Sequence, residues 1–260
     1  MQPLPLARLL DQVEQIAFEA GEAIMQVYAG EFDVSQKSDD SPVTAADMAA
    51  NDVILGCLSQ LAPLMPVLSE ESVDAFAGPD HAGRYWLVDP LDGTKEFIKR
   101  NDEFSVNIAL IEQGRPVLGV VHAPALGLTW LGAEGVGGFK LDAAGVRQPI
   151  RVARHQPGTH WRVLGSRSHL GPKTLAWMEA LGDFMLTRMG CSIKLCMVAE
   201  GAADLYPRLG PTSLWDTAAA HAVVNAAGGS IKTPEGEVVD YACPEKTLNP
   251  WFIVYGGSEP

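Results

Sequence analysis

The stretch WLVDPLDGTKEF, Trp86 to Phe97, constrains this chain more than any other. An apolar run, Trp86-Leu87-Val88, leads straight into Asp89, and Asp92 follows three positions later. An apolar strand ending in a carboxylate is how α/β proteins commonly present charge, because ligands collect at the carboxyl ends of strands. Pro90 presets the next backbone angle and Gly93 permits a tight turn, so Asp89 and Asp92 can project into one small space. Two ionised carboxylates that close repel each other unless a cation lies between them. Donors made only of oxygen favour a hard ion, Mg²⁺ or Mn²⁺, over zinc. D-P-L-D-G is also good β-turn chemistry, so this stretch alone leaves both readings open.

Apolar periodicity predicts a helix over 4–29, with Leu9, Val13, Ile16, Ala20 and Ile24 on one face and Gly30 as its stop. A polar loop, SQKSDDSPVTAAD, separates it from a second helix over about 45–61 that the Ala62-Pro63 step ends. From Pro66 to Leu141 the texture changes: FSVNIALIE, PVLGVVHAP, LTWLGAE and GGFKL read as successive strands of an antiparallel sheet. GVGGF (135–139) reads as a turn between two of them. The polar, proline-bearing stretch 145–160 reads as a seam. Beyond it strand WRVLG, helices 172–182 and 192–200, strand ADLYP, helix 215–227 and strand GSIKT alternate as in an α/β unit. The expectation is a mixed α/β protein of two joined halves, 1–150 and 151–260, forming one compact unit.

Composition narrows the function. With 47% apolar residues in 260, the chain can bury a substantial core. A formal charge of −13 argues against a grip on nucleic-acid polymers, which needs basic patches. An anionic substrate must therefore be drawn by something other than net charge. No window approaches the roughly 20 apolar residues of a membrane span. Cys57, Cys191, Cys196 and Cys243 form no C-x-x-C pair, which fits reduced thiols in a cytosolic protein.

Other acids could join Asp89 and Asp92. PVLSEES is a second apolar run ending in acids, Glu70 and Glu71, and SLWDTAAAHAVVNAAGG puts Asp216 at a helix start. Each has a plainer explanation: a solvated loop for the glutamates, a helix-dipole partner for Asp216. Asp47, in Thr44-Ala45-Ala46-Asp47, fits a capping box. Assembled, SEES (69–72), DPLDGT (89–94) and WDTAA (215–219) resemble, in that order, the magnesium-dependent, lithium-sensitive phosphatases related to inositol monophosphatase. The match runs from the first helix to beyond residue 250. WLVDPLDGTKEFIKRNDEFSVNIALIE, SPVTAAD, SRSH, VAEGAADLYPRLGPTSLWDTAA and the late LNP are similar to the CysQ branch of that superfamily, the bacterial 3′(2′),5′-bisphosphate nucleotidases.

The resemblance implies a layered α/β/α/β/α sandwich and a set of roles. Glu70, Asp89 and the Leu91 carbonyl would hold one Mg²⁺, and Asp89, Asp92 and Asp216 a second, with Mn²⁺ able to substitute. Asp47 and Thr94 would orient and deprotonate the attacking water, and Glu71 would be an outer acid. Gly93 joins these ligands around the scissile phosphate. Ser166, His169, Gly190 and Lys194 are the matching nucleotide contacts, Lys194 at the 5′-phosphate, with Arg167 and Arg208 as further cations. The plainer readings are a solvated lysine and an ordinary polar loop. Counted with Asp47, the acids exceed two divalent ions by one charge, so a third, weaker ion arriving with substrate would better receive a dianionic phosphate. His122 and His221 read as packed, and His81 as a surface residue.

The implied activity is hydrolysis of adenosine 3′,5′-bisphosphate (PAP) to AMP and phosphate, with 3′-phosphoadenylyl sulfate (PAPS) as a second substrate, in sulfate assimilation. A sugar phosphatase, acting on inositol 1-phosphate or fructose 1,6-bisphosphate, would share the metal site; KEFIKRNDEF and the 190–208 region favour the nucleotide. A non-catalytic phosphate-binding regulator on this fold would be expected to lack a ligand or the Asp47–Thr94 pair. A homodimer is common in the wider family, and its members act in the cytoplasm or at the cytoplasmic face of the inner membrane.

Overall fold

The computed structural model describes residues 4–36, 42–167 and 170–260. Helix α1 spans Leu6–Tyr28 and buries Leu9, Leu10, Val13, Ile16, Ala20 and Ile24, the face its periodicity predicts. Helix α2, Ala45–Leu58, opens on a capping box between Thr44 and Asp47. It ends three residues earlier than expected. Gln60 and Leu61 already close tighter bonds to Cys57 and Leu58, ahead of the step into Pro63, where helical backbone is disfavoured. The polar loop before α2 also differs from expectation. It carries a short antiparallel pair of strands, β1 (Val34–Gln36) and β2 (Pro42–Thr44).

The first sheet has seven strands, neighbours in chain order: β3 (Val67–Ser69), β4 (Arg84–Asp92), β5 (Ser105–Glu112), β6 (Arg115–Ala123), β7 (Leu128–Ala133), β8 (Gly137–Leu141) and β9 (Arg147–Ile150). All pairs are antiparallel, including the four strands so expected, except β3 with β4, which run parallel. A short helix α3 (Thr94–Ile98) follows β4. The second sheet holds β10 (Trp161–Ser166), β11 (Phe184–Met189), β12 (Leu205–Arg208), β13 (Ser230–Lys232) and β14 (Phe252–Tyr255), in the order β11-β10-β12-β14-β13. Helices α4 (Pro172–Glu179), α5 (Ile193–Ala199) and α6 (Ala218–Ala226) belong to this half. The expected helix over 215–227 starts only at Ala218, because Asp216 and Thr217 lie in the turn before it.

The five layers follow from strand alternation. Successive side chains of β4 face opposite ways, so Trp86 and Val88 enter one core while Tyr85 and Leu87 enter another. The first core lies under α1 and α2, the second against α5, α6 and the second sheet, and a third joins that sheet to α4. Strands buried on both faces read as unbroken apolar runs, as WLV and FSVNIALI do. Glycine lets α6 approach closely: a Cβ on Gly119 would sit 2.1 Å from the Ala219 carbonyl oxygen. This is the α/β/α/β/α sandwich.

Candidate active site

Strand β4 delivers the acids. Its pairing with β5 is regular to Asp89↔Asn107 and then slips before Asp92↔Ser105, a bulge that re-aims the strand end. Asp89 Oδ1 accepts the Leu91 N–H at 3.1 Å. Gly93 completes the turn with φ 94°, a left-handed conformation, where a Cβ would lie 3.0 Å from the Glu103 carbonyl. The parallel β3 ends beside β4 with Ser69 opposite Val88, which sets Glu70 next to Asp89. Asp216 arrives from the turn before α6, its Oδ2 accepting Ser213 N at 2.9 Å. One oxygen from each of Glu70, Asp89 and Asp216 lies within 4.8 Å of the others.

Electrostatically this group asks for a cation. Burial, then the charges of Glu70, Asp92, Asp216 and Asp47, hold the Asp89 carboxyl well above the usual range. Burial and Asp92 push Asp216 up to about 8. Burial also raises Asp92, opposed by the Lys194 ammonium and the Ser192 N–H. Carboxylates in mutual repulsion around the buried Asp89, all oxygen donors, fit a hard divalent ion.

Residues absent from the sequence reading orient Asp92. Ser192 N donates to its Oδ2 at 2.6 Å and Asn107 Nδ2 reaches the same atom at 3.5 Å, while Ser192 Oγ donates to Asn107 Oδ1 at 2.9 Å. The available signal was a lone buried amide inside FSVNIALIE. Lys194 is 4% exposed rather than solvated, its ammonium donating to the Cys191 carbonyl and lying 5.3 Å from the Tyr206 ring.

Asp47 has two faces. Oδ2 takes the Thr44 N–H and Thr44 hydroxyl, both at 2.8 Å, so the helix cap is real. Oδ1 accepts the Thr94 hydroxyl at 3.1 Å, and that hydroxyl also lies 3.4 Å from the Leu91 carbonyl. Glu71 borders a neighbouring hollow with Thr44 and Met48 rather than the cleft that holds the acids. That cleft, about 340 Å³, is lined by Glu70, Asp89, Leu91, Asp92, Gly93, Thr94 and Asp216, and also by Ser166, Gly190, Lys194 and Arg208. Arg167 instead pairs with Glu103 at 2.5 Å. His169 lies outside the described residues. His122 and His221 are buried beside Thr129 and Tyr241, and burial lowers them to about 4 and about 3, while His81 is exposed. All four cysteines are free thiols.

The model of the inositol monophosphatase family matches residues 6–257. The chain belongs to that family. It is 53% identical over 248 residues to the 3′(2′),5′-bisphosphate nucleotidase CysQ of Salmonella typhimurium, covering 95% of this chain and 99% of that one. The protein of the same name from Escherichia coli K12 is 52% identical over the same share. Among solved structures, CysQ of Bacteroides thetaiotaomicron, described as a bacterial member of the family, superposes with a TM-score of 0.83 at 36% identity, over 99% of this chain and 100% of that one. Inositol monophosphatase family phosphatases are metal-dependent, and the acidic group can hold metal. Among the described residues no helix is long and apolar enough to cross a membrane.

Proposed function

We propose that the protein is a Mg²⁺-dependent 3′(2′),5′-bisphosphate nucleotidase that converts PAP to AMP and phosphate, with PAPS a second substrate and sulfate assimilation its setting. The observation that carries this is the acidic triad of Glu70, Asp89 and Asp216 beside the Thr94–Asp47 hydrogen bond, in a chain 53% identical over 248 residues to a CysQ protein. Glu70, Asp89, the Leu91 carbonyl, Asp92 and Asp216 would hold two Mg²⁺, with Mn²⁺ able to substitute and a third ion accompanying substrate. Bound there, divalent ions supply Lewis-acid neutralisation of the phosphate oxygens and a more acidic water.

The chain's own residues do the rest. Asp47 is anchored through Oδ2, so its Oδ1 holds the Thr94 hydroxyl in place at the cleft wall. Thr94 orients the attacking water, whose proton passes through the Thr94 hydroxyl to Asp47 Oδ1 as its oxygen bonds phosphorus; the P–O3′ bond breaks and the ribose O3′ takes a proton from solvent water. Glu71 is an outer acid without substrate contact. Lys194 and the Ser166 and Gly190 backbone region would receive the 5′-phosphate, and the enzyme would work in the cytoplasm.

Phosphate release from PAP and inositol 1-phosphate, side by side, tests this. Preference for PAP, lost with chelator and suppressed by lithium, is the expected result. Preference for the sugar phosphate would keep the metal site and discard the nucleotide; release from neither would leave a non-catalytic phosphate binder.

A further inference from the structure

Glu103 stands behind the cleft rather than in it, yet ties together both loops that line the far wall. Its Oε2 accepts the Gly190 N–H at 2.7 Å and Arg167 Nε at 2.9 Å, and its Oε1 accepts Arg167 Nη2 at 2.5 Å. Arg167 follows Ser166 at the end of β10, and Gly190 follows Met189 at the end of β11. These parallel ends are paired, Ser166 opposite Met189, at the carboxyl edge of the second sheet, the edge where α/β sheets present ligand-binding groups. The contact at Gly190 is close: an added Cβ would lie 2.9 Å from Glu103 Cβ.

The loop carrying Glu103 is itself braced. Arg100 donates to the Tyr28 and Gly30 carbonyls, both at 2.6 Å, and Tyr28 Oη donates to Asp102 Oδ1 at 2.9 Å. Arg100 and Asp102 hold φ of 54° and 67°, which non-glycine residues seldom adopt. Anchored to the end of α1, the loop presents Glu103 to the other half as a fixed acceptor. A charged acceptor shared by a guanidinium and a backbone N–H is strong and directional.

We propose that Glu103 is a positioning residue for substrate choice: it sets the spacing of the Ser166 and Gly190 loops, and through them the recognition of the second, non-scissile phosphate of a nucleoside bisphosphate. The inference rests on the nucleotidase reading above. The scissile phosphate meets other residues, so its hydrolysis does not depend on Glu103.

The test compares PAP with 3′-AMP, which lacks the 5′-phosphate, on the wild-type protein and on Glu103→Gln and Arg167→Gln, in saturating Mg²⁺. For Glu103→Gln, KM for PAP should rise about ten-fold, the scale of one charge-assisted hydrogen bond, with kcat held within about two-fold. Kinetics on 3′-AMP should move less than about two-fold, and AMP, which keeps the 5′-phosphate, should bind more weakly. Arg167→Gln, at a half-exposed position that leaves the Gly190 bond in place, should show the same discrimination more weakly. Equal losses on PAP and 3′-AMP, or an unchanged KM for PAP in both variants, would overturn the role. A wild-type protein that does not prefer PAP would instead sink the nucleotidase reading, before any variant is measured, and this inference with it.

Discussion

Asp216 and Thr217 are neighbours in sequence but belong to opposite kinds of buried polar cluster. Asp216 faces Glu70 and Asp89, carboxylates that repel one another. Thr217 Oγ1 lies 3.0 Å from Tyr241 Oη, which lies 3.1 Å from His221 Nδ1, while Asn249 Nδ2 donates to Thr217 Oγ1 at 3.1 Å and to the Ser213 carbonyl at 2.6 Å. Tyr85 Oη donates to the Tyr241 carbonyl at 2.8 Å. Asn249 Oδ1 has no hydrogen-bond partner among the described residues. Donors and acceptors alternate in the second cluster, so the protein satisfies it almost alone. The first holds acceptors of one sign and needs a ligand. Polar burial therefore marks function only where the partners cannot be supplied from within.

The sharpest way to break this contrast is Asp92→Asn. Turnover should fall at least roughly 10³-fold while the fold stays intact, because a ligand is lost without a packing contact. Circular dichroism and steady-state assays read both; near-normal turnover would remove Asp92 from the metal site. Thr94→Val should lower kcat about 10²-fold with little change in KM, the scale of a positioned proton relay. An effect confined to KM would assign Thr94 to binding instead.

pH sharpens the comparison, since the clusters should slope in opposite directions. Asp216 is raised from 3.8 to about 8, so the folded, metal-free protein keeps a proton that the unfolded chain has released. That stabilisation is greatest in acid and is lost as pH rises from about 4 to 8. His221 is lowered from 6.5 to about 3, so the folded protein keeps it neutral while the unfolded chain takes a proton. Its contribution is complete above pH 6.5 and lost as pH falls towards 3. Denaturant titrations with Mg²⁺ and with chelator should therefore diverge progressively above pH 5. A metal-dependent difference that shrank with rising pH would contradict the assignment.

The smallest effect belongs to the self-contained cluster. Tyr241→Phe should cost about 1–3 kcal/mol of stability, the price of unpairing buried groups, and leave kcat within about two-fold. A loss of turnover matching Thr94→Val would mean that the two clusters act as one.

The carboxylate pair was legible because it is local: an apolar strand, a proline and a glycine put Asp89 and Asp92 together within four residues. The cap at Thr44 and Asp47 was legible for the same reason. Strand β11 was not, because as an edge strand it leaves Met185 half exposed and breaks the apolar run. β14 was hidden in four residues beyond a long polar stretch. The support given to Asp92 by Asn107 and Ser192 also escaped, since an amide in a strand carries no sign of its partner 85 residues away.

By itself the sequence determined the kinds of donor, the ends of the strands that carry them and, through buried runs such as FSVNIALIE, a sheet covered on both faces. These follow from short-range geometry and from the alternation of side chains. Only the tertiary structure decided which acids share a space, that Asp47 serves both its cap and Thr94, and that Glu103 reaches Gly190. Those contacts join residues 19 to 146 positions apart, and their geometry is set by how two sheets and the helices between them pack.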